Sequence, residues 1–174
     1  LGMRLSSSEY ISFIDSDDIW TENKLAIQIK FMFENKYFFS YSDYVPFIQK
    51  KSQKKYLKIT NLKKNFNFNE FILNSSINTT TTIISRKVIG TLKFKNIKKL
   101  EDYLFKCEIL KKGTIAYKAE GKLAYYRILE ISRSSQRLRN VFYLWSVNRD
   151  YNKLSFFKNL FSIVMISLNS IKKY

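Results

Sequence analysis

At 174 residues, 45% hydrophobic and 17% aromatic, the chain is long enough to bury one sizeable core and too apolar to be disordered. Lys and Arg outnumber Asp and Glu by 31 to 14, and the resulting +17 suits an anionic partner: nucleic acid, an anionic membrane surface or a phosphorylated substrate. Histidine is absent and Cys107 is the only cysteine, which excludes a Cys/His zinc site, an internal disulfide and Ser-His or Cys-His catalysis, leaving acid–base chemistry to carboxylates, Tyr or Lys.

The first residues, from Leu1 to Ser8, contain no apolar signal-peptide core, and no initiator Met opens them. They lead almost directly into a strand, so the chain is expected to begin in the middle of a fold. No stretch reaches the roughly 18 apolar residues of a spanning helix. Tyr10 to Ile14 is a short β-prone run that ends on three carboxylates, Asp15, Asp17 and Asp18. Thr21 is placed to cap the next helix, with Leu25, Ile29, Met32 and Phe33 on one face.

Tyr37 to Tyr44 reads as a second strand, with Asp43 near its end, expected in a surface turn or, as the alternative, as a further polar contact in the cleft. Pro46 to Lys64 is Lys-rich and reads as a hairpin or loop excursion with a solvated face. A short helix is expected over Asn69 to Leu73. Asn78 to Ser85 is β-branched and predicts a strand whose threonines line a cleft on one side. Arg86 to Ile89 makes a helical turn stopped by Gly90.

Glu101 and Asp102 open a helix running to Lys112, with Leu104, Cys107 and Leu110 inward and Gly113 as the stop. Thr114 to Lys118 and Leu123 to Arg127 predict two short strands. Ser134 is placed to cap a helix facing inward through Leu138, Val141, Phe142 and Trp145. Ser155 caps the last helix. Its apolar stripe is Phe157, Leu160, Phe161, Val164, Leu168 and Ile171, and its other face shows Lys158, Ser162, Asn169 and Lys173. Two units are expected, 1–130 and a helical extension 131–174.

Carboxylates as close as Asp15, Asp17 and Asp18 repel one another unless a cation or hydrogen-bond donors hold them. At the C-terminal end of an α/β strand they occupy the ligand-binding edge of such folds, which points to a metal and nucleotide-diphosphate site. The competing reading is simple helix capping. An EF-hand is excluded, because Trp20 stands where its loop requires Gly. The pair Glu101-Asp102 is the second acidic feature, again open to a capping explanation.

The run Phe13-Ile-Asp-Ser-Asp-Asp-Ile-Trp20, followed by Lys24-Leu and Gln28-Ile, resembles family 2 glycosyltransferases. So do the later Phe39-Ser-Tyr-Ser-Asp-Tyr44, Thr79 to Thr82, Glu101-Asp102-Tyr103 and Tyr126-Arg127, in the family's order. The resemblance implies an α/β, Rossmann-like GT-A fold with a mixed sheet, here incomplete, and inverting transfer from a nucleotide-sugar donor to a glycan or lipid-linked acceptor. It places Asp15 and Asp17 as the Asp-x-Asp that binds donor and metal, Mn²⁺ or Mg²⁺, with Asp17 on the cation and Asp15 toward the ribose or metal shell. Asp102 becomes the catalytic base. Thr81, Glu101, Trp20 and Arg127 are weaker candidates on the acceptor side or behind the site, Arg127 meeting either a phosphate or an acidic neighbour. Asp18 is assigned to capping.

The family's nucleotide-binding units precede the Asp-x-Asp and nothing here corresponds to them, so these residues by themselves are expected to be inactive. The tail from Trp145 to Ser155 resembles members that build bacterial surface polysaccharide or lipooligosaccharide. The expected location is cytoplasmic, with the last helix either docked peripherally on the anionic inner membrane face or packed on the domain. A basic, aromatic nucleic-acid-binding module is the alternative function. It lacks a recognised motif, and the acidic cluster repels phosphate, so nucleic acid is not the expected partner.

Overall fold

In the computed structural model, which describes residues 2–50, 53–58, 63–128 and 133–172, two 12-residue strands form the centre of a mixed sheet. They are β3 (Phe39–Lys50) and β7 (Ala116–Arg127), and they run parallel. The remaining strands are β1 (Tyr10–Ser12), β2 (Ile19–Trp20), β4 (Gln53–Tyr56), β5 (Asn65–Phe66) and β6 (Ile83–Ser85). The order is β1-β6-β3-β7-β2, with β4 beside β3 and β5 beside β7. Every pairing except β3–β7 is antiparallel.

The helices are α1 (Gly2–Leu5), α2 (Lys24–Asn35), α3 (Phe68–Phe71), α4 (Arg86–Ile89), α5 (Glu101–Lys111), α6 (Arg133–Ser146) and α7 (Phe156–Lys172). A π-helical turn, Val147–Tyr151, prolongs α6. Among the described residues no helix is long and apolar enough to cross a membrane.

Alternation explains the central strands. Phe39 and Tyr41 are buried at a spacing of two, while Ser40 and Ser42 are buried on the opposite face, so both sides of β3 are covered. The register then slips. Ser42 pairs with Ala119 but Asp43 pairs with Lys122, which leaves Glu120 and Gly121 as a bulge on β7. Gly121 takes φ +98°, a left-handed conformation that glycine adopts without a Cβ clash. The two short strands expected over Thr114–Lys118 and Leu123–Arg127 are therefore one strand, interrupted at this bulge. Asp43 is not in a surface turn. It lies within β3, largely buried, 3.0 Å from the Lys118 ammonium.

The core joins the sheet to α3 and α5 through Tyr41, Phe66, Phe71, Tyr103, Leu104 and Cys107. Helix α3 starts one residue before the expected range, because Asn67 makes a reciprocal capping box with Glu70. The Lys-rich stretch after Pro46 forms the β3–β4 hairpin, with Lys54 and Lys55 exposed. Lys51, Lys173, the side chains of Leu138 and Ile171, and the boundary expected between residues 130 and 131 lie outside the described residues.

Helix α2 is rotated away from its apolar pattern, with Met32 buried and Ile29 half-buried. Lys24, Gln28 and Met32 face the sheet, while Leu25 and Phe33 are exposed. The inward face combines the buried Met32 with polar bonds: Gln28 Nε2 donates to Ser40 Oγ and to the Thr81 carbonyl, both at 3.1 Å. Its N-cap is Asn23, not Thr21, whose carbonyl instead accepts from Lys24 N–H.

Helix α7 is turned the same way. Asn159, Ser162 and Ile163 are buried, while Phe157, Leu160, Phe161, Val164 and Leu168 are exposed. Several of the inward polar groups are hydrogen-bonded. Asn159 Nδ2 donates to the Trp145 carbonyl at 3.2 Å and Ser162 Oγ donates to the Ile72 carbonyl. Asn148 Nδ2 donates to Ser162 Oγ at 3.1 Å, while Asn148 Oδ1 accepts from Tyr103 Oη and Asn152 Nδ2, each at 3.0 Å. This buried polar knot, rather than the expected stripe, ties the C-terminal helices to α5. On α6, Leu144 is buried and Phe142 is exposed, contrary to its expected inward place.

Candidate active site

Strand β1 ends at Ser12, so Phe13 and Ile14 already belong to the acidic turn. The turn closes when Asp18 N–H donates to the Asp15 carbonyl at 3.0 Å. It is anchored to residues 79–81, which form a 3₁₀ turn (Thr79–Thr81) instead of the expected strand. Asp15 N–H donates to Thr80 Oγ1 at 3.2 Å, and Trp20 Nε1 donates to the Thr80 carbonyl at 2.8 Å. Trp20 is thus a brace behind the turn.

Asp18 does not cap α2. It is buried, and its Oδ1 accepts the Arg127 backbone N–H at 2.9 Å, which fastens the turn to the end of β7. That contact is made by the Arg127 main chain and does not involve its guanidinium group.

Asp102 lies in the first turn of α5, two residues after Leu100, whose φ of +66° is unusual for a branched side chain. Its Oδ2 accepts from Thr79 Oγ1 at 2.8 Å and from Lys106 Nζ at 2.9 Å. Lys106 Nζ also donates to the Ile77 carbonyl at 3.0 Å and to Thr79 Oγ1 at 2.9 Å. Burial by itself would raise the Asp102 pKa; the Lys106 charge and hydrogen bond, with Thr79 and the Tyr103 N–H, outweigh it and hold the carboxyl down to about 2. Asp102 is therefore ionised throughout the neutral range.

Asp15 behaves oppositely. Burial raises its pKa, and so do the charges of Asp17, Asp102 and Glu101, with only Lys106 opposing them. Asp18 is also raised, first by burial, against the Arg127 N–H and the Thr80 hydroxyl. These couplings mean that the two acidic features, far apart in sequence, converge. Asp15 and Asp102 line one polar cavity of about 230 Å³, together with Tyr44, Ser76, Thr79 and Tyr126. Ser75, Ile77 and Asp102 are shared with a larger cavity of about 450 Å³ whose other walls include Phe71, Val141, Leu144 and Ile166.

Among the described residues no group of three or more His, Cys, Asp or Glu side chains is placed to hold a metal ion. Asp15 and Asp17 supply two carboxylates on one turn. Mg²⁺ and Mn²⁺ sites often use one or two carboxylates and complete the shell with substrate phosphate oxygens and water. Burial first, and then the neighbouring carboxylate charges, raise Asp15, and both favour a counter-charge at this turn, so the donor set is chemically compatible with a cation.

Thr81 does not reach the cavity. It is buried, its Oγ1 donates to the Asn78 carbonyl at 2.7 Å, and its carbonyl accepts from Gln28. Thr79 takes the position beside Asp102. Glu101 is exposed at the same helix start and acts on Asp15 through its charge. Lys106 was not among the expected site residues, although its spacing of four from Asp102 is the helical ion-pair spacing and carried the signal. Lys24, fully buried with its ammonium 4.5 Å from the Trp20 ring centre, was visible only as part of the motif.

The mixed α/β sheet thus brings two acidic features, Asp15 and Asp102, to one polar cavity. A profile of glycosyl transferase family 2 matches residues 1–97, more than half of the chain, and the chain belongs to this family. It is 30% identical over 168 residues to the putative teichuronic acid biosynthesis glycosyltransferase TuaG of Bacillus subtilis (strain 168), covering 97% of this chain and 66% of that protein. It is 29% identical over 172 residues to the Escherichia coli UDP-Glc:alpha-D-GlcNAc-diphosphoundecaprenol beta-1,3-glucosyltransferase WfgD, covering 95% and 65%. The chain therefore spans slightly less than two thirds of the length of these relatives. Staphylococcus aureus TarS residues 1–349, solved in complex with UDP-GlcNAc, superposes with a TM-score of 0.57 at 14% identity, over 84% of this chain and 44% of that one. The fold is that of TarS, the GT-A fold expected from the motifs.

Proposed function

We propose that this chain carries the metal, acceptor and base side of an inverting glycosyltransferase that builds bacterial cell-surface polysaccharide. The observation that carries the reading is the single polar cavity with Asp15 on one wall and Asp102 on another. The donor is a nucleotide-diphosphate sugar, as in the names of WfgD and of the TarS complex, and the acceptor a glycan or lipid-linked saccharide. The work is done at the cytoplasmic face of the membrane, where a lipid-linked acceptor is presented.

An acceptor hydroxyl in the cavity attacks the anomeric carbon. The bond from that carbon to the diphosphate oxygen breaks with its electron pair on the leaving group, and the hydroxyl proton passes to Asp102. Lys106 and Thr79 both bind Oδ2, so Oδ1 is the oxygen they do not use. They hold the carboxylate in place and keep it unprotonated. Asp15 and Asp17 would hold the cation, Mn²⁺ or Mg²⁺, which would supply positive charge to neutralise the departing diphosphate. Trp20 and Asp18 fix the turn that presents them.

The test is transfer of labelled sugar from UDP-glucose or UDP-N-acetylglucosamine to a GlcNAc-diphosphate lipid by the natural gene product. The expected result is transfer that stops on chelation and falls by roughly 10²–10⁴-fold in Asp102→Asn. Near-normal transfer by a folded Asp102→Asn protein refutes the base assignment, and unchanged metal dependence in Asp17→Ala refutes the metal assignment.

A further inference from the structure

Helix α7 buries its polar side and exposes its apolar side. At about 100° per residue, Phe157, Leu160, Phe161, Val164 and Leu168 fall within one stripe roughly 100° wide. All five are exposed, Phe157 by 81%. The opposite side is committed to the domain through Asn159, Ser162 and Asn169, the last donating to the Leu73 carbonyl at 3.1 Å. The helix therefore cannot roll to bury its stripe without breaking these bonds. Phe156 extends the stripe at its start, half-exposed and packed edge-on against Trp145.

Charge decides what covers this face. The chain is at +17, and no Asp or Glu occurs after Asp150, while Lys153, Lys158, Lys172 and Lys173 do. Lys153 and Lys158 are exposed near the N-terminal end of the stripe. A second copy of the same chain would meet this face with like charge; anionic lipid headgroups meet it with opposite charge. Aromatic and aliphatic side chains flanked by lysines are the composition of a helix lying in a bilayer interface, and the helix is not one that could span it.

We propose that the outer face of α7 docks the protein on an anionic lipid bilayer, with Phe157, Phe161, Val164 and Leu168 entering the acyl boundary. The helix lies along the surface, held from behind by the domain. Its inner side also lines the 450 Å³ cavity beside Asp102, through Ile166, Ser167 and Ser170, so docking brings that cavity close to lipid.

The test is flotation of the full chain with vesicles of phosphatidylglycerol and phosphatidylcholine in equal parts, against vesicles of phosphatidylcholine alone. No nucleotide sugar or acceptor is present, so the outcome is independent of the proposed transfer reaction. The expected result is co-flotation with the anionic vesicles only, weakened by salt. The double variant Phe157→Glu and Phe161→Glu, both at exposed positions, should lower partitioning by at least about tenfold with its circular dichroism and melting unchanged. In a Phe157→Trp protein, the emission of the new indole should shift to the blue and be quenched by brominated lipid. Absence of flotation, equal flotation of the double variant, or an unquenched indole overturns the proposal. So does a vesicle-free dimer of the parent that the double variant converts to monomer, which would assign the face to a second copy.

Discussion

Replacing Lys106 by Met removes the cation that holds Asp102 while keeping most of the side-chain volume. Lys106 is nearly fully buried, and Asp102 is about half open to the cavity. The fall of the Asp102 pKa from 3.8 to about 2 corresponds to roughly 2.5 kcal/mol at face value. The partial exposure of the carboxylate screens it, which leaves about 1 kcal/mol. Loss of the donor to the Ile77 carbonyl and Thr79 hydroxyl adds about 1 kcal/mol. Lys106→Met should therefore lose roughly 2 kcal/mol in urea unfolding at pH 7. The sign with pH follows from the depressed carboxyl. Its contribution is complete above the unfolded value of 3.8 and disappears as pH falls through about 2. The difference between parent and variant should shrink across that window. Carboxyl-carbon NMR of Asp102 should titrate near 2 in the parent and clearly higher in the variant. An unchanged Asp102 titration in Lys106→Met, or a stability loss independent of pH, would refute the reasoning.

Burial lowers the Lys24 pKa to about 8, so between about 8 and the unfolded 10.5 the unfolded chain holds the extra proton and stability rises with pH. Lys24→Met should be more stable at pH 7, by up to about 3 kcal/mol, and lose that rise, as read from urea melts at pH 7 and pH 10. Asn148→Ala should cost about 3 kcal/mol in thermal or urea melts, because Tyr103, Asn152 and Ser162 each lose a buried partner. Asp15→Asn should weaken manganese binding, followed by calorimetry in the presence of UDP, by about tenfold or more; equal affinity would remove Asp15 from the cation's shell.

Local chemistry wrote much of the protein into its sequence. Short-range signals located the acidic turn after β1, the helix opened by Glu101 and Asp102 and the stop at Gly113, because each depends on residues within a turn or two. The order of motifs also identified the family, and it singled out Asp15 and Asp102, which the fold brings to one cavity. Three matters were decided only by the tertiary structure. Apolar periodicity finds a helix but not which side faces the domain. In α2 and α7 the inward side carries polar groups, because Gln28, Asn159 and Ser162 find backbone and hydroxyl partners supplied by distant segments. The threonine-rich stretch reads as a strand from β-propensity, yet Asn78 caps it into a 3₁₀ turn that offers Thr79 to Asp102 and Thr80 to the acidic turn. The ionisation of the site was the third. Asp15 is raised and Asp102 is depressed because burial acts on both, but Asp102 has the hydrogen bonds of Lys106 and Thr79 in addition to the Lys106 charge, while Asp15 meets the charges of Asp17, Asp102 and Glu101, a difference set largely by neighbours in space.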